Sequence, residues 1–353
     1  MSTTTTAHEA PPEPDERLAR TSIWVRILRR PEFGALIGAL AVFGLFAVSD
    51  KTGLFASLNG LARWTDSAST IGIVAVAVAL LMIGGEFDLS AGVMVGTSGL
   101  FMGLLATEWH LNVWLAIVLT LIASAGIGAI NGSLVMATRL PSFIVTLAMF
   151  FSLQGINLGV TKVITGTVRV DGISDAAGFT SASKVFAGEF WHPYQFRGAV
   201  IWWIAVTVIA TWVLTRTKFG NWIFAVGGDA NAARNTGVPV ARTKITLFMY
   251  TSVSAALVGI ITALRLQSVQ AGQGVGEEFT FIIAAVVGGC LLTGGYGSAI
   301  GASIGASIIG MAFIGIAFAG WNTDWSFLFL GLILFMAVLL NTVISRRATS
   351  GRR

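Results

Sequence analysis

The sequence predicts an all-α polytopic membrane protein with about ten transmembrane helices, and three observations carry that expectation. Apolar residues make up 55% of the 353-residue chain and charged residues only 11%, with a mean hydropathy of +0.80. The apolar runs are continuous rather than alternating, which suits helices rather than a barrel, the two structures that satisfy every backbone N–H and C=O in lipid. Ten such runs recur, at about 33–49, 69–84, 91–107, 113–131, 142–160, 199–215, 245–264, 280–293, 298–319 and 325–344. Several fall short of the roughly 20 residues a span needs, so these must borrow flanking glycines, tilt or break.

Residues 1–32 form a polar tail with Pro11, Pro12 and Pro14 near its start. No signal-peptide pattern shows there, and disorder is expected to about Thr21. Residues 22–32 alternate apolar and basic groups, so they form either an interfacial amphipathic helix or a plain basic flank. The membrane body spans 33–344, and a short basic tail follows at 345–353. With the N-terminus inside and ten spans, fifteen of the 22 Lys and Arg lie inside. The remaining seven, Lys51, Arg63, Lys162, Arg169, Lys184, Arg197 and Arg265, lie outside. That asymmetry places both termini in the cytoplasm and explains the net charge of +5 without nucleic acid. The long outside loop, 161–198, is either a solvated connector or a receiver for an external partner.

The inside loop 216–244 holds a polar island, Gly227 to Lys244. Asp229 is placed to cap a short helix, and Gly237 followed by Pro239 to stop it. Two turns of helix are marginal in water, so the island needs a surface to pack on. Glycine, with 42 copies, is the second organiser. The spacings Gly92 to Gly96 and Gly301 to Gly305 favour close approach of helix backbones. Two Gly-Gly turns, at Gly84-Gly85 and Gly288-Gly289, hint at an internal repeat.

Catalytic and metal motifs are absent: there is no nucleotide-gripping glycine loop, no His-Glu-x-x-His and no Gly-x-Ser-x-Gly. The three histidines, His8, His110 and His192, lie in the tail and outside loops, and Cys290 stands alone. The chain is therefore expected to be neither an enzyme nor a metal or cofactor binder. An ion-driven carrier should carry ionisable groups deep in its spans, whereas Glu86, Asp88, Arg265, Glu277 and Glu278 all read as near span ends. Asp88 is placed to cap the third span, and Arg265 with the Glu277-Glu278 pair to snorkel or pair at the outer interface.

Four passages, in order, resemble one family. Gly85-Glu86-Phe87-Asp88-Leu89-Ser90-Ala91-Gly92 is similar to the Gly-Gly-Ile-Asp-Leu-Ser-Val-Gly signature of permease subunits of ATP-binding-cassette importers for ribose, xylose and galactose. Asn131-Gly132 with Leu140-Pro141-Ser142-Phe143-Ile144-Val145-Thr146-Leu147 resembles a second passage of that family. The island 227–244 resembles its cytoplasmic loop, and Ala284 to Gly289 with Gly294 to Ser298 its late glycine block. Glu86, Cys290 and Tyr296 depart from the usual glycine, threonine and arginine. The resemblance implies a type II importer permease in the bacterial inner membrane, translocating a monosaccharide or polyol. It also implies as partners a second permease copy, cytoplasmic ATPase subunits that hold ATP and Mg, and an extracytoplasmic sugar-binding protein. The island then becomes the coupling helix, with Asp229, Ala230, Ala233, Arg234, Gly237, Val238 and Arg242 as docking residues. The motif turn comprises Gly85, Glu86, Asp88 and Ser90. Polar span residues Asn131, Thr146, Ser152, Gln154, Asn157 and Gln267 are candidate liners of the substrate route, or else helix-to-helix bonds. Rival readings are an ion-coupled carrier working alone and a membrane scaffold.

Overall fold

The structure, a computed structural model, describes residues 31–350. The candidate interfacial helix at 22–32 lies outside the described residues except for its last two, which open the first helix. Each of the ten predicted runs falls on a helix: α1 (Pro31–Ser49), α2 (Leu58–Ile83), α3 (Ala91–Thr107), α4 (Val113–Thr138) and α5 (Ser142–Thr165) come first. After α6 (Phe179–Phe186) come α7 (Gly198–Arg216), α8 (Lys218–Gly228), α9 (Ala230–Asn235), α10 (Val240–Leu266), α11 (Glu277–Val287), α12 (Ala299–Phe318) and α13 (Ser326–Ser350). Seven of these helices are long and apolar enough to cross a membrane: α1, α2, α4, α5, α7, α10 and α12.

The axis of the bundle is α2. Every residue from Ile71 to Gly84 is buried, as expected for a helix that is apolar all round. It begins eleven residues before the predicted run, because Ser57 caps it by accepting from the Gly60 N–H and because Asp66 is held by Arg265 of α10. Arg265 therefore pairs, one of the two outcomes expected of it near the end of its span. Around α2 pack α12, α7, α10 and α11, while α10 also packs on α3 and α4, and α12 on α1.

The two short helices, α3 and α11, are where the structure departs most from a row of simple spans. Helix α11 runs antiparallel to α12, with Gly288 against Gly301 and Ala284 against Gly305. Its 11 residues rise about 16 Å, so its N-terminus lies about halfway along α12. Residues 269–276 complete that passage as non-helical chain. They begin with a two-residue strand, β4 (Val269–Gln270), paired antiparallel with β1 (Arg169–Val170). This chain rests on the glycine face of α3: a Cβ on Gly96 would stand 2.2 Å from the Gln273 carbonyl oxygen. Gly92 and Gly96 thus admit the turn at Gln273-Gly274 and the first turn of α11 at Glu278, whereas Gly301 and Gly305 face the end and the helical run of α11. Glu278 is buried where α3 and α11 begin, beside Gly92, and its Oε2 accepts from the Gly276 N–H at 3.0 Å. It is buried inside the bundle, although its position just ahead of an apolar run led to the expectation of an outer interface.

The plan of long helix, non-helical stretch and short helix occurs twice, in α2–α3 and in α10–α11, with α2 and α10 running in opposite directions. The two Gly-Gly turns on which the expected repeat rests also follow one plan, each ending a helix at the same end of the bundle and leading into a new one.

At the end of the bundle where α5 and α10 finish, the connector 161–198 is folded rather than loose. Strands β2 (Glu189–Phe190) and β3 (Phe196–Arg197) form a hairpin closed by the Arg197–Glu189 ion pair. The amphipathic α6 is fastened by Trp114, which donates to Ser181 Oγ at 2.9 Å, and by Phe186 stacked on Trp202 at 5.1 Å.

The extended passage makes a direct expectation. Gly96→Ala should destabilise the folded chain by about 1–3 kcal/mol, the usual effect of forcing a methyl into a filled space. Gly155→Ala, on an α5 face with no heavy atom within 4 Å, should be neutral or slightly stabilising. Unfolding of both variants in detergent checks the contrast.

Candidate functional site

Three glycine-rich turns converge at the opposite end of the bundle: Gly84–Ser90 between α2 and α3, Gly227-Gly228 closing α8, and Gly288–Gly297 between α11 and α12. The Gly295 N–H donates to the Ile83 carbonyl at 2.8 Å. A Cβ on Gly227 would stand 1.7 Å from that same carbonyl oxygen and 2.8 Å from the Gly295 nitrogen, so no other residue fits there.

Helix α9 projects from this junction. The Asp229 carboxylate accepts from the Asn231 N–H at 2.8 Å and the Ala232 N–H at 3.0 Å, so it caps the helix as the sequence predicts. Those two amides, Ala232 first, hold the exposed carboxyl below the usual carboxylate range. Gly237, at φ +85°, turns the chain out of the helix, and Pro239 precedes α10. Six residues cannot persist as a helix without an apolar anchor. Ala233 supplies it: buried against Val226 and Val240, it forms a small cluster that Met136, Ala230 and Val238 join. The predicted docking face therefore divides. Ala233 points inward and Ala230 and Val238 are half-buried with it, whereas Asn231, Arg234, Asn235, Gly237 and Arg242 are exposed.

The motif turn lies just behind. Gly85 takes φ +81°, and Glu86 is buried in an ion pair with Lys244 of α10. Asp88 is buried, and its Oδ1 accepts from the Ser90 N–H at 2.8 Å and from Ser90 Oγ at 2.5 Å. Ser90, not Asp88, occupies the position that caps α3, so the carboxylate shapes the turn ahead of the cap. Ser90 Oγ in turn accepts from Asn131 Nδ2 of α4 at 3.0 Å. The Phe87 and Leu89 N–H groups donate to Ser142 and Thr146 of α5, at 3.0 and 3.1 Å. Asp88 Oδ2 and Asn131 Oδ1 have no partner among the described residues.

Three of the six candidate route residues thus bond within the bundle: Asn131 and Thr146 hold the turn 84–90, and Asn157 bonds helix to helix, its Nδ2 donating to Thr97 Oγ1 at 3.0 Å. Ser152 is exposed on α5, donates to the Ala148 carbonyl, and lines an open apolar groove of about 700 Å³ with Phe151, Gly155, Gly159 and Val163. Gln154 is half-buried on α5, and Gln267 closes the far end of α10 at φ +57°. Of the six, the groove takes in Ser152 alone. The Glu86–Lys244 pair and the role of Ser142 were not foreseen, since nothing local in a sequence links positions 158 or 55 apart.

Seven of the described helices are long and apolar enough to cross a membrane, two passages are interrupted, and a capped polar helix stands out from one end, which is the architecture of a polytopic membrane protein. Residues 60–338 match the family described as branched-chain amino acid transport system / permease component, and the chain belongs to that family. It is 30% identical to the xylose transport system permease protein XylH of Escherichia coli, over 89% of this chain and 92% of the relative. It is also 30% identical to the E. coli ribose import permease protein RbsC, over 87% and 92%. The inner membrane ABC transporter permease protein YjfF of E. coli is 30% identical over 86% and 89%. No solved structure matches. The chain is thus a multi-pass inner-membrane permease of an ATP-binding-cassette importer.

The Asp229 cap sets an expectation with a sign. Because its folded pKa lies below the ordinary 3.8, the cap contributes in full above that value and is lost as pH falls through the folded pKa. At neutral pH, Asp229→Ala should speed hydrogen exchange at Asn231 and Ala232 about fivefold, while Asp229→Asn, which can still accept, should change it little. Exchange measured by mass spectrometry over 229–237 decides.

Proposed function

We propose that this chain translocates a monosaccharide or polyol handed over by an extracytoplasmic binding protein, and that α9 docks on a cytoplasmic ATPase subunit. The observation that carries the reading is α9 itself. It is capped at Asp229, anchored inward by Ala233, and presents Asn231, Arg234 and Arg242 outward, beside the junction of three turns. A passive connector needs neither the cap nor the anchor. The excess of Lys and Arg on this side supports a cytoplasmic placement. The ATPase subunits would hold ATP and Mg, and two permease copies would enclose the route. The xylose and ribose named for the relatives support a sugar substrate.

The ion-coupled carrier is less well supported. Arg265 and Lys244 are neutralised by Asp66 and Glu86, which leaves these groups occupied in structure rather than available to a moving ion. Reconstitution in liposomes with an ATPase partner and binding protein tests the reading. Uptake of xylose or ribose should need ATP and persist after ionophores collapse the ion gradients. Uptake driven by a gradient without ATP would overturn it, and uptake of leucine but of no sugar would overturn the substrate class. Arg234→Glu should lower ATPase association about tenfold, as expected for an exposed charge at a contact rim.

A further inference from the structure

We propose that the Glu86–Lys244 ion pair is the strut by which displacement of α9 reaches the non-helical segment ahead of α3, so that both are positioning residues for coupled transport. The inference rests on the reading of α9 as the ATPase-docking helix. On one side, Lys244 lies in the second turn of α10, and α9 is fastened to the start of α10 by Ala233 against Val240. On the other, Glu86 stands two residues before Asp88, in the stretch that Ser142 and Thr146 of α5 and Asn131 of α4 hold in place. The pair therefore bridges the element that meets the ATPase and the polar cluster within the bundle.

Stability alone does not account for it. The Lys244 and Glu86 side chains are only 13% and 10% exposed, and the desolvation of such a pair offsets most of its attraction. Apolar residues of similar size would pack the site as well. What an ion pair adds is a fixed distance between two segments far apart in the chain, because separating its members would strand a charge in a dry site. The segment that it grips is suited to move. Phe87 and Leu89 bond to side chains rather than to a helical ladder, so a shift at Glu86 exchanges individual hydrogen bonds and does not unwind a helix. Its bonds end on α5, the helix that carries the open groove around Ser152 and Gly155. A pull at α9 thus has a continuous physical route to that groove.

The full permease reconstituted with its ATPase partner tests this. Two quantities are read: a disulfide crosslink from Asn231→Cys to the ATPase, and the ratio of substrate moved to ATP hydrolysed. Cys290 is buried and does not compete for the crosslink. E86Q and K244M should each keep the crosslink and lower the ratio by about threefold to thirtyfold, the range for residues along a coupling route. The exchange E86K/K244E should restore it. An unchanged ratio in folded E86Q and K244M overturns the strut. If either single variant fails to fold, the exchange decides: a folded exchange variant with the original ratio supports the strut, and one with a lowered ratio overturns it. Loss of the crosslink in the otherwise unaltered chain overturns instead the assignment of α9 on which the inference rests.

Discussion

Backbone that leaves the helical ladder inside a membrane must find its hydrogen bonds within the protein, and this constraint shapes the bundle. Two stretches leave the ladder. Residues 84–90 are held by Ser142, Thr146 and the Asp88 carboxylate. Residues 269–276 are held by pairing with β1, by the Ala271 N–H donating to the Val168 carbonyl, and by the Glu278 carboxylate at the Gly276 N–H. Two of the buried acids, Asp88 and Glu278, thus serve backbone that has no ladder, while Glu86 pairs with Lys244. The same need explains why α3 presents glycines on its inner face, since chain carrying its own carbonyls must lie within van der Waals reach of the helix that shelters it.

The sequence made the helices legible because the apolar runs are long and their ends carry Ser, Asn, Asp and Gly signals. The cap at Asp229 and the stop at Gly237 are local chemistry, readable from a few neighbouring positions. Interrupted spans are less readable: a run such as 280–293 contains enough apolar residues to resemble a span, yet α11 ends at Val287 because Gly288 and Gly289 begin the turn. The expectation for Gly92 and Gly96 was met only in part for a related reason. Small residues four apart announce close approach but do not say whether a helix or a turn approaches, and here Gly92 meets the start of α11 and Gly96 the turn ahead of it.

Polar residues in spans were the least legible. Asn131 and Thr146 carry the side chains that a sugar route requires, and equally those that hold an irregular segment. Only the positions of Ser90 and of the Leu89 amide separate the two roles. Charges behave alike: Glu86 and Lys244 belong to different motifs, and their pairing depends on the fold bringing 84–90 beside the start of α10.

The inward turn of Ala233 changes what α9 can do. Had its alanines faced outward, the helix would have lain flat on a partner through close backbone contact, with nothing to hold it to its own chain in the partner's absence. With Ala233 packed on Val226 and Val240, α9 is joined to the end of α8 and the start of α10. On the docking proposed above, the outward contact would fall to Asn231, Arg234 and Arg242, long or polar side chains of the kind that give specificity and rapid association more than tight burial. Apolar attachment on the inner side and polar attachment on the outer would then place the weaker joint between subunits and the stronger one within the permease, the arrangement that the proposed transmission requires.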